Sequence, residues 1–375
     1  SVNAYEADAW LTSLSTNQIV PTGDRVANHS WVGDATNANT GASQNPSLLR
    51  RVDRLVYQQQ YIQVVAMNNG GFNEPLLGSA YNVIAVGRTD ANHAQGSAAI
   101  DGAYTAGRTR PDLVSPVDST SGATPIVAAA AALLVQTGHG TPSLSHGSTT
   151  VNGATIYNAE RSETVKAALL AGADRVTANT STTANISGYR SAGHQTANGL
   201  DDRYGAGQVD VFNSYHIIAA GEQEAGAISD QGFDYNASFG GATSRTANYT
   251  FTAQAQESLS ASLAWNLGVS NNANLTTTLH HLNLSLFDLS DNAALVADSS
   301  SALDNTQNLW VALLDNHQYQ LRVTAADPQN FSWGYALAWN IGPTPVPAPA
   351  AAWLFASALA GLGVIGRRGR LSLGP

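Results

Sequence analysis

Two periodicities divide the chain. Up to about residue 222, helical stretches alternate with short apolar runs, whereas between about 235 and 341 apolar residues recur at every second position. In the first part, SLLRRVDRLVYQQQ (from Ser47) and SETVKAALLAGA (from Ser162) have helical spacing, while YIQVVAM and NVIAVG are suited to buried strands. Strands that alternate with helices indicate a parallel sheet covered on both faces.

The second part predicts half-buried strands. Its alternating apolar positions are Leu259, Ala261, Leu263 and Trp265; Leu282, Leu284 and Leu286; Tyr319, Leu321 and Val323; and Tyr335, Leu337 and Trp339. Several such strands separated by polar turns are typical of an antiparallel β-sandwich. We therefore expect one domain over 1–222, a sandwich over 223–342 and a separate segment over 343–375.

The last segment differs from both. Alternate prolines from Pro343 to Pro349 predict a stiff extended spacer. An apolar run from Ala350 to Ile365 follows, short for the ~20 residues of a typical membrane span, and arginines come after it. This pattern predicts an apolar helix that enters a membrane and holds its C-terminus in the cytoplasm.

Composition narrows the function classes. Charged residues make up 12% of the chain against an ordinary ~25%, and the net charge is −10. The densest internal basic group is Arg50, Arg51 and Arg54, too small a patch for a nucleic-acid backbone. The absence of cysteine excludes disulfides, thiolate metal sites and thiol nucleophiles.

The most informative stretch surrounds Ser121. It stands at the entry to an Ala-rich apolar helix that we expect over 124–136, with Pro125 in its first turn and Gly138 as a stop. A hydroxyl at the positive end of a helix dipole favours an oxyanion nearby. The ordinary alternative is that Ser121 is only the N-cap of this helix.

The surrounding motifs resemble those of the subtilisin-like serine proteases (subtilases). STSGATPIVA, from Ser119, is similar to the family's nucleophile motif G-T-S-x-A-x-P-x-V-A. In family order, ANHSW, VVAMNNGG, NVIAVG, RPDLVSP and YGAGQVD resemble the cleft strand, the oxyanion-hole strand, the next two strands and the closing element. Any one match is weak, but the ordered set is specific.

The resemblance implies a fold and a set of residue roles. The fold would be α/β: a partial subtilase parallel-sheet domain, followed by an antiparallel β-sandwich and a C-terminal apolar helix. Ser121 would be the nucleophile that attacks a polypeptide substrate, and Asn69 would belong to the oxyanion hole. The residues expected to line the substrate cleft are Ser30, Trp31, Val32, Gly33, Ala66 and Asn68.

The serine needs a base and an orienting carboxylate. In the family both precede the cleft strand, but the residues before Ala27 contain no histidine. We therefore expect an N-terminally truncated fragment that is inactive by itself. His139 and His146 lie in His-Gly-Thr/Ser sequences like the family's catalytic motif, but their use would require a circular permutation. His29 is interpreted as a packed residue of the cleft wall.

Three positions depart from the family pattern. Ser119 and Asn68 replace glycines, and Val32 stands where the cleft strand usually has glycine. The last two would narrow the cleft or strain the turn.

The C-terminal segment resembles the PEP-CTERM sorting signal of Gram-negative bacteria, with a V-P-x-P box at Val346. The resemblance implies export, transient insertion in the inner membrane, processing by an exosortase, and delivery to the cell envelope or extracellular matrix. A permanent membrane anchor is the alternative. The sandwich resembles accessory domains of subtilases; Asp288, Asp298 and Asp304 could hold Ca²⁺, but no metal or other cofactor is assigned.

Two rival functions stay open. The chain could be a non-catalytic surface or matrix module derived from a degenerate subtilase. It could also be a β-sandwich adhesin whose protease-like half is a scaffold.

Overall fold

The structure is a computed structural model that describes residues 3–15, 23–31, 45–71, 76–242 and 244–343. Residues 1–343 form one compact unit, and 344–375 form a second unit that lies outside the described residues. The described part contains five α-helices. They are α1 (Ala7–Ser15), α2 (Asn45–Gln59), α3 (Thr120–Gly140), α4 (Ser162–Gly172) and α5 (Val211–Ala219).

A four-stranded parallel sheet forms the first half, with its strands in sequential order. The strands are β1 (Val26–His29), β2 (Ile62–Ala66), β3 (Ile84–Arg88) and β4 (Leu113–Ser115). β2 is buried along its whole length, as a strand covered on both faces must be. A hairpin, β5 (Ser148–Val151) and β6 (Ala154–Tyr157), follows α3.

Two further sheets face each other in the second half. The strands are β7 (Gly226–Ala227), β8 (Gln231–Phe239), β9 (Thr246–Thr252), β10 (Glu257–Ala264), β11 (Gly268–Val269), β12 (Thr277–Thr278), β13 (Leu282–Asp288), β14 (Ala294–Ser299), β15 (Thr306–Ala312), β16 (Gln318–Ala325) and β17 (Trp333–Pro343). One sheet has the order β15-β10-β17-β8, the other has the order β14-β13-β16-β9-β7, and β11 pairs with β12. All of these pairs are antiparallel except β7 with β9.

The chain is therefore mixed α/β with a sandwich-like second half. Apolar side chains of the two large sheets share one core, with Leu284 and Leu321 from one sheet and Leu337 and Trp339 from the other. β13 alternates buried and half-buried residues, as its period-two pattern predicts.

Helix α3 is the central helix of the first half. Among the described residues it alone is long and apolar enough to cross a membrane by length and composition. Its apolar residues instead pack in the core shared with β2, β3 and β4, through Val127, Ala131 and Leu134. Burial in this core explains the apolar residues on its inner side, whereas Ile126 and Leu133 are 39% and 40% exposed.

Helix α4 joins the two halves. All of its residues are buried, because it packs against α3 and α5 on one side and β10 and β17 on the other. The alternating pattern predicts solvent-facing positions for Ser260 and Ser262, but they are only 6% and 0% exposed. That expectation was wrong because α4 covers this face, and the Ser260 hydroxyl donates to the Ala171 carbonyl (2.6 Å).

A buried ion cluster connects α4 with the parallel sheet. The ammonium of Lys166 lies 3.3 Å from Asp112 and donates to the Val83 carbonyl (2.8 Å). Asp112 also accepts from the Ala85 backbone N–H (2.8 Å) and lies 3.4 Å from the guanidinium of Arg110. Burial lowers the pKa of Lys166 to about 8, although the Asp112 charge favours its protonated form. The chain's single lysine is thus a structural residue.

The sequence located most elements but not their ends. α3 begins at Thr120 and ends at Gly140, beyond the predicted stop at Gly138. α4 begins at Ser162, with Arg161 at the N-cap position. Helix α1 and the β5–β6 hairpin were not predicted, and the expected C-terminal apolar helix lies outside the described residues.

Because α4 is buried in the shared core, truncating one of its side chains should strongly lower the free energy of unfolding. Leu169→Ala removes a fully buried side chain and should lower the free energy of unfolding by about 2–5 kcal/mol. Leu133→Ala, at a position of α3 that is 40% exposed, should cost about 0.5 kcal/mol or less. Urea unfolding of both variants measures the difference, and equal costs would contradict the burial of α4.

Candidate functional site

The candidate site lies where two parallel strands end beside the start of α3. Ser30 directly follows β1, and Asn69 follows β2 by three residues. Because β1 and β2 are parallel neighbours, their carboxyl ends lie at the same edge of the sheet. The first turn of α3, with Ser121, meets this edge. Topology thus brings together three residues that are far apart in sequence.

Ser119, not Ser121, caps α3. The Ser119 hydroxyl accepts from the Gly122 backbone N–H (3.1 Å), and Ser119 has the extended backbone of an N-cap. The N-cap interpretation of Ser121 is therefore wrong: it lies inside the first turn, and its side chain is exposed. Among the described residues, no hydrogen bond involves its hydroxyl. The hydroxyl is therefore accessible from solvent.

Pro125 has a different role from the one predicted. Since α3 begins at Thr120, Pro125 lies in the second turn and not the first. Its missing N–H would have paired with the Ser121 carbonyl, four residues earlier. The Ser30 hydroxyl donates to that carbonyl instead (2.9 Å). Pro125 therefore leaves the Ser121 carbonyl available to accept from Ser30, the residue after β1.

The Asn69 side chain is oriented by the helix. Its Oδ1 accepts from the Thr120 backbone N–H (2.9 Å). An N–H can only donate, so the opposite amide orientation would set two donors against each other. The Asn69 side chain is exposed, and its Nδ2 has no hydrogen-bond partner among the described residues. A donor is thus held beside Ser121 with its protons available.

The other residues expected to line the cleft lie in different surroundings. Ser30 lies at the site, while Trp31 packs its ring against those of His29 and Trp10, with centroids 5.5 and 5.9 Å away. Ala66 and Asn68 are 1% and 5% exposed. Val32 and Gly33 lie outside the described residues.

The side chain of Asn68 has a buried oxygen without a hydrogen-bond partner among the described residues. Its backbone carbonyl accepts from the Ala94 N–H (2.9 Å), which pins the turn, but its side-chain Oδ1 is buried without a partner among the described residues. An unpaired buried acceptor costs about 1–3 kcal/mol. Asn68 stands where the similar subtilase motif has a glycine.

His29 is a packed residue. It is 4% exposed, and its Nε2 lies 3.2 Å from the side-chain oxygen of Gln63. Burial lowers the pKa of His29 to about 4. It stays neutral at pH 7 and faces Gln63 rather than Ser121.

The backbones of His93 and Asn69 form an antiparallel bridge, but His93 is as unsuited to act as a base as His29. Its Nδ1 accepts from the Arg88 N–H (3.0 Å), so Nε2 carries the proton and donates to the Arg203 carbonyl (3.0 Å). Burial lowers the pKa of His93 to about 4. The ring also packs over Gly87, where an added Cβ would lie 2.5 Å from it. No sequence motif marks this role, because its partners lie on separate segments.

The two His-Gly sequences lie away from Ser121. His139 is at the far end of α3, about 27 Å along the helix from Ser121, and its Nδ1 lies 3.0 Å from Glu160. His146 follows the helix and lies 3.8 Å from Glu224. All nine histidines of the chain lie among the described residues, and none hydrogen-bonds the Ser121 hydroxyl.

The three acids considered for Ca²⁺ have separate partners. Asp288 accepts from His317 Nδ1 (2.6 Å), and Asp298 accepts from the Ser300 hydroxyl (3.1 Å). Asp304 is buried and accepts from the Thr109 N–H (2.9 Å). Within the described ranges, no three histidine, aspartate or glutamate side chains gather as a metal site would require.

Comparisons with known proteins do not assign a family. No protein-family model matches the chain, and no curated protein matches it. The pre-peptidase C-terminal domain of a Bacillus anthracis collagenase is 19% identical, with 32% of this chain and 96% of that one covered and a TM-score of 0.24. Aeromonas hydrophila PliG, a periplasmic inhibitor of g-type lysozyme, is 16% identical over 32% of this chain and 98% of its own, with a TM-score of 0.22. TM-scores this low do not establish a shared fold.

The neutral state of His93 predicts a pH dependence. Between pH 6.5 and about 4 the unfolded chain binds a proton at this residue and the folded chain does not. Acid should therefore lower the free energy of unfolding by about 1.4 kcal/mol per pH unit from this group. His93→Gln should reduce the slope of the free energy of unfolding against pH by that amount in the same window. Urea unfolding between pH 7 and 4.5 measures it; an unchanged slope would show that His93 is protonated in the fold.

Proposed function

We propose that this chain carries the nucleophile and oxyanion hole of a subtilisin-like serine endopeptidase that hydrolyses polypeptides. The observation that carries the proposal is the Thr120 N–H to Asn69 Oδ1 hydrogen bond (2.9 Å), beside a serine whose hydroxyl is exposed. A helix start and a strand end cooperate there to present one hydroxyl and one amide donor.

The chemistry follows from these groups. The Ser121 Oγ would attack the peptide carbonyl carbon, and its proton would pass to a base. The resulting oxyanion would accept from Asn69 Nδ2 and from the Ser121 backbone N–H. That N–H is one of the first-turn donors that an α-helix leaves without an internal partner. The positive end of α3 favours the same charge.

The base must come from elsewhere. None of the nine histidines hydrogen-bonds the Ser121 hydroxyl, and His29 and His93 are buried and neutral. The proposal therefore requires a base that none of these histidines supplies, together with a carboxylate that orients it.

The location and partners of the enzyme belong to the same proposal. The C-terminal sequence supports export from a Gram-negative cell, transient membrane insertion of the run from Ala350 to Ile365, and handling by an exosortase-type sorting machinery. The catalytic half and the sandwich would then reach the envelope or matrix together, because α4 is buried against both.

One observation favours a second candidate, a non-catalytic surface or matrix module. It is the same lack of a histidine beside Ser121. If the natural gene product also supplies none, the ordered serine and asparagine are remnants of a protease.

The decisive experiment uses the natural gene product that contains this chain. A fluorophosphonate probe should label Ser121, and Ser121→Ala should abolish both labelling and peptide hydrolysis. Asn69→Asp keeps an oxygen for the Thr120 N–H but removes the amide donor, so turnover should fall at least about 10²–10³-fold without a large change in the unfolding midpoint.

Gln136→Ala is the control, because it changes an exposed residue near the far end of the same helix. Its turnover should match the wild type. A gene product in which Ser121 resists the probe would refute the enzyme and leave the surface module.

A further inference from the structure

A small polar cavity lies between the two halves of the compact unit, on residues that the candidate site does not use. Its volume is about 250 Å³, enough for one small ring rather than a large ligand. It is bounded by α2, the start of α4, β8 and the start of β17. The lining residues that matter below are Tyr57, Gln60, Arg161, Glu163, Tyr235 and Trp333.

One wall is aromatic. The rings of Tyr57 and Trp333 are nearly parallel, with an interplanar angle of 11° and centroids 5.7 Å apart. Tyr57 is 37% exposed, so part of its ring faces solvent. Trp333 is held by its Nε1, which donates to the Asn266 carbonyl (2.9 Å). Such a wall offers an electron-rich surface to the weakly positive C–H groups of a ligand.

The opposite lining has unpaired hydrogen-bonding atoms on deeply buried side chains. Glu163 is 5% exposed; one of its oxygens accepts from the Ser162 hydroxyl (3.0 Å), and the other has no hydrogen-bond partner among the described residues. Gln60 is 4% exposed; its oxygen accepts from Ser162, and its amide nitrogen has none in the described part of the chain. Neither atom is among the buried unpaired ones, so both are open to a hydrogen bond from a ligand or from water.

The conformation of Gln60 follows from its place directly after α2. Its φ is +54°, in the left-handed region, and its backbone N–H still donates to the Val56 carbonyl (2.9 Å), as at a common type of helix end. The Ser162 N–H donates to the side-chain oxygen of Gln60 (2.8 Å) and so positions this side chain in the cavity lining.

The charges balance. Arg161 donates through Nε to Asn158 (3.0 Å) and lies over the Tyr235 ring, 4.2 Å from its centroid, while its terminal nitrogens have no hydrogen-bond partner among the described residues. Together with Glu163, it gives the cavity one cation and one anion, so neither an anion nor a cation is favoured overall. Donors and acceptors are both present, as a ligand with several hydroxyls requires.

From this combination we propose that the cavity binds a single pyranose ring of a neutral sugar. The apolar C–H face of the ring would lie against Tyr57 and Trp333. Its hydroxyls would donate to Glu163 and accept from Gln60 and Arg161. The site would serve to hold the protein on a glycan, and it does not depend on Ser121.

The test is binding of glucose, galactose, xylose and N-acetylglucosamine to the full chain, measured by calorimetry and saturation-transfer NMR. At least one sugar should bind with a dissociation constant on the order of 1 mM. Tyr57→Ala and Glu163→Gln should each weaken that binding by about tenfold or more. Tyr215→Ala, at a tyrosine of α5 with a similar exposure of 39%, should leave it unchanged.

The proposal is overturned if none of the four sugars binds, or if Tyr57→Ala binds as the wild type does. It is also overturned if the free amino acid alanine, a zwitterion, binds in this cavity and the sugars do not, since Arg161 and Glu163 would then recognise charged groups. If Glu163→Gln does not fold, Tyr57→Ala decides the question, because Tyr57 is on the surface of α2.

Discussion

The complete burial of α4 is the constraint on which the remaining structure depends. An eleven-residue helix with no exposed face needs partners on every side, and α3, α5, β10 and β17 supply them. Its polar side chains then need internal partners as well. Lys166 pairs with Asp112, so the helix is held by packing and by a buried ion pair together.

That constraint makes the two halves one unit. Small residues on β10 and β17, such as Ser260, Ala336 and Ala338, let the helix approach the sheet closely. The sandwich is therefore packed against the first half and not connected to it by a linker alone. Whatever the first half does, the second half is held at a constant orientation to it, and the sugar cavity lies where the two meet.

The candidate catalytic residues depend on the other end of the same core. α3 packs under the parallel sheet and presents its first turn to the ends of β1 and β2. Pro125 frees the Ser121 carbonyl for Ser30, and Thr120 orients Asn69. Two backbone groups at one helix start thus hold the side chains of Ser30 and Asn69 near Ser121. None of the nine histidines hydrogen-bonds the serine hydroxyl, and His29 and His93 are already hydrogen-bonded inside the fold.

The sequence alone determined the mixed α/β class, the parallel strands and the alternating strands of the sandwich, and it singled out Ser121 and Asn69 as candidate residues. These follow from local periodicity and from motifs whose spacing is set within one segment. Only the tertiary structure decided that Ser119 rather than Ser121 caps α3, that Ser260 and Ser262 are buried, and that His93 is neutral. The reason is physical: a side chain's exposure and protonation depend on groups that packing brings from distant segments, such as α4 over β10 and Arg203 beside His93.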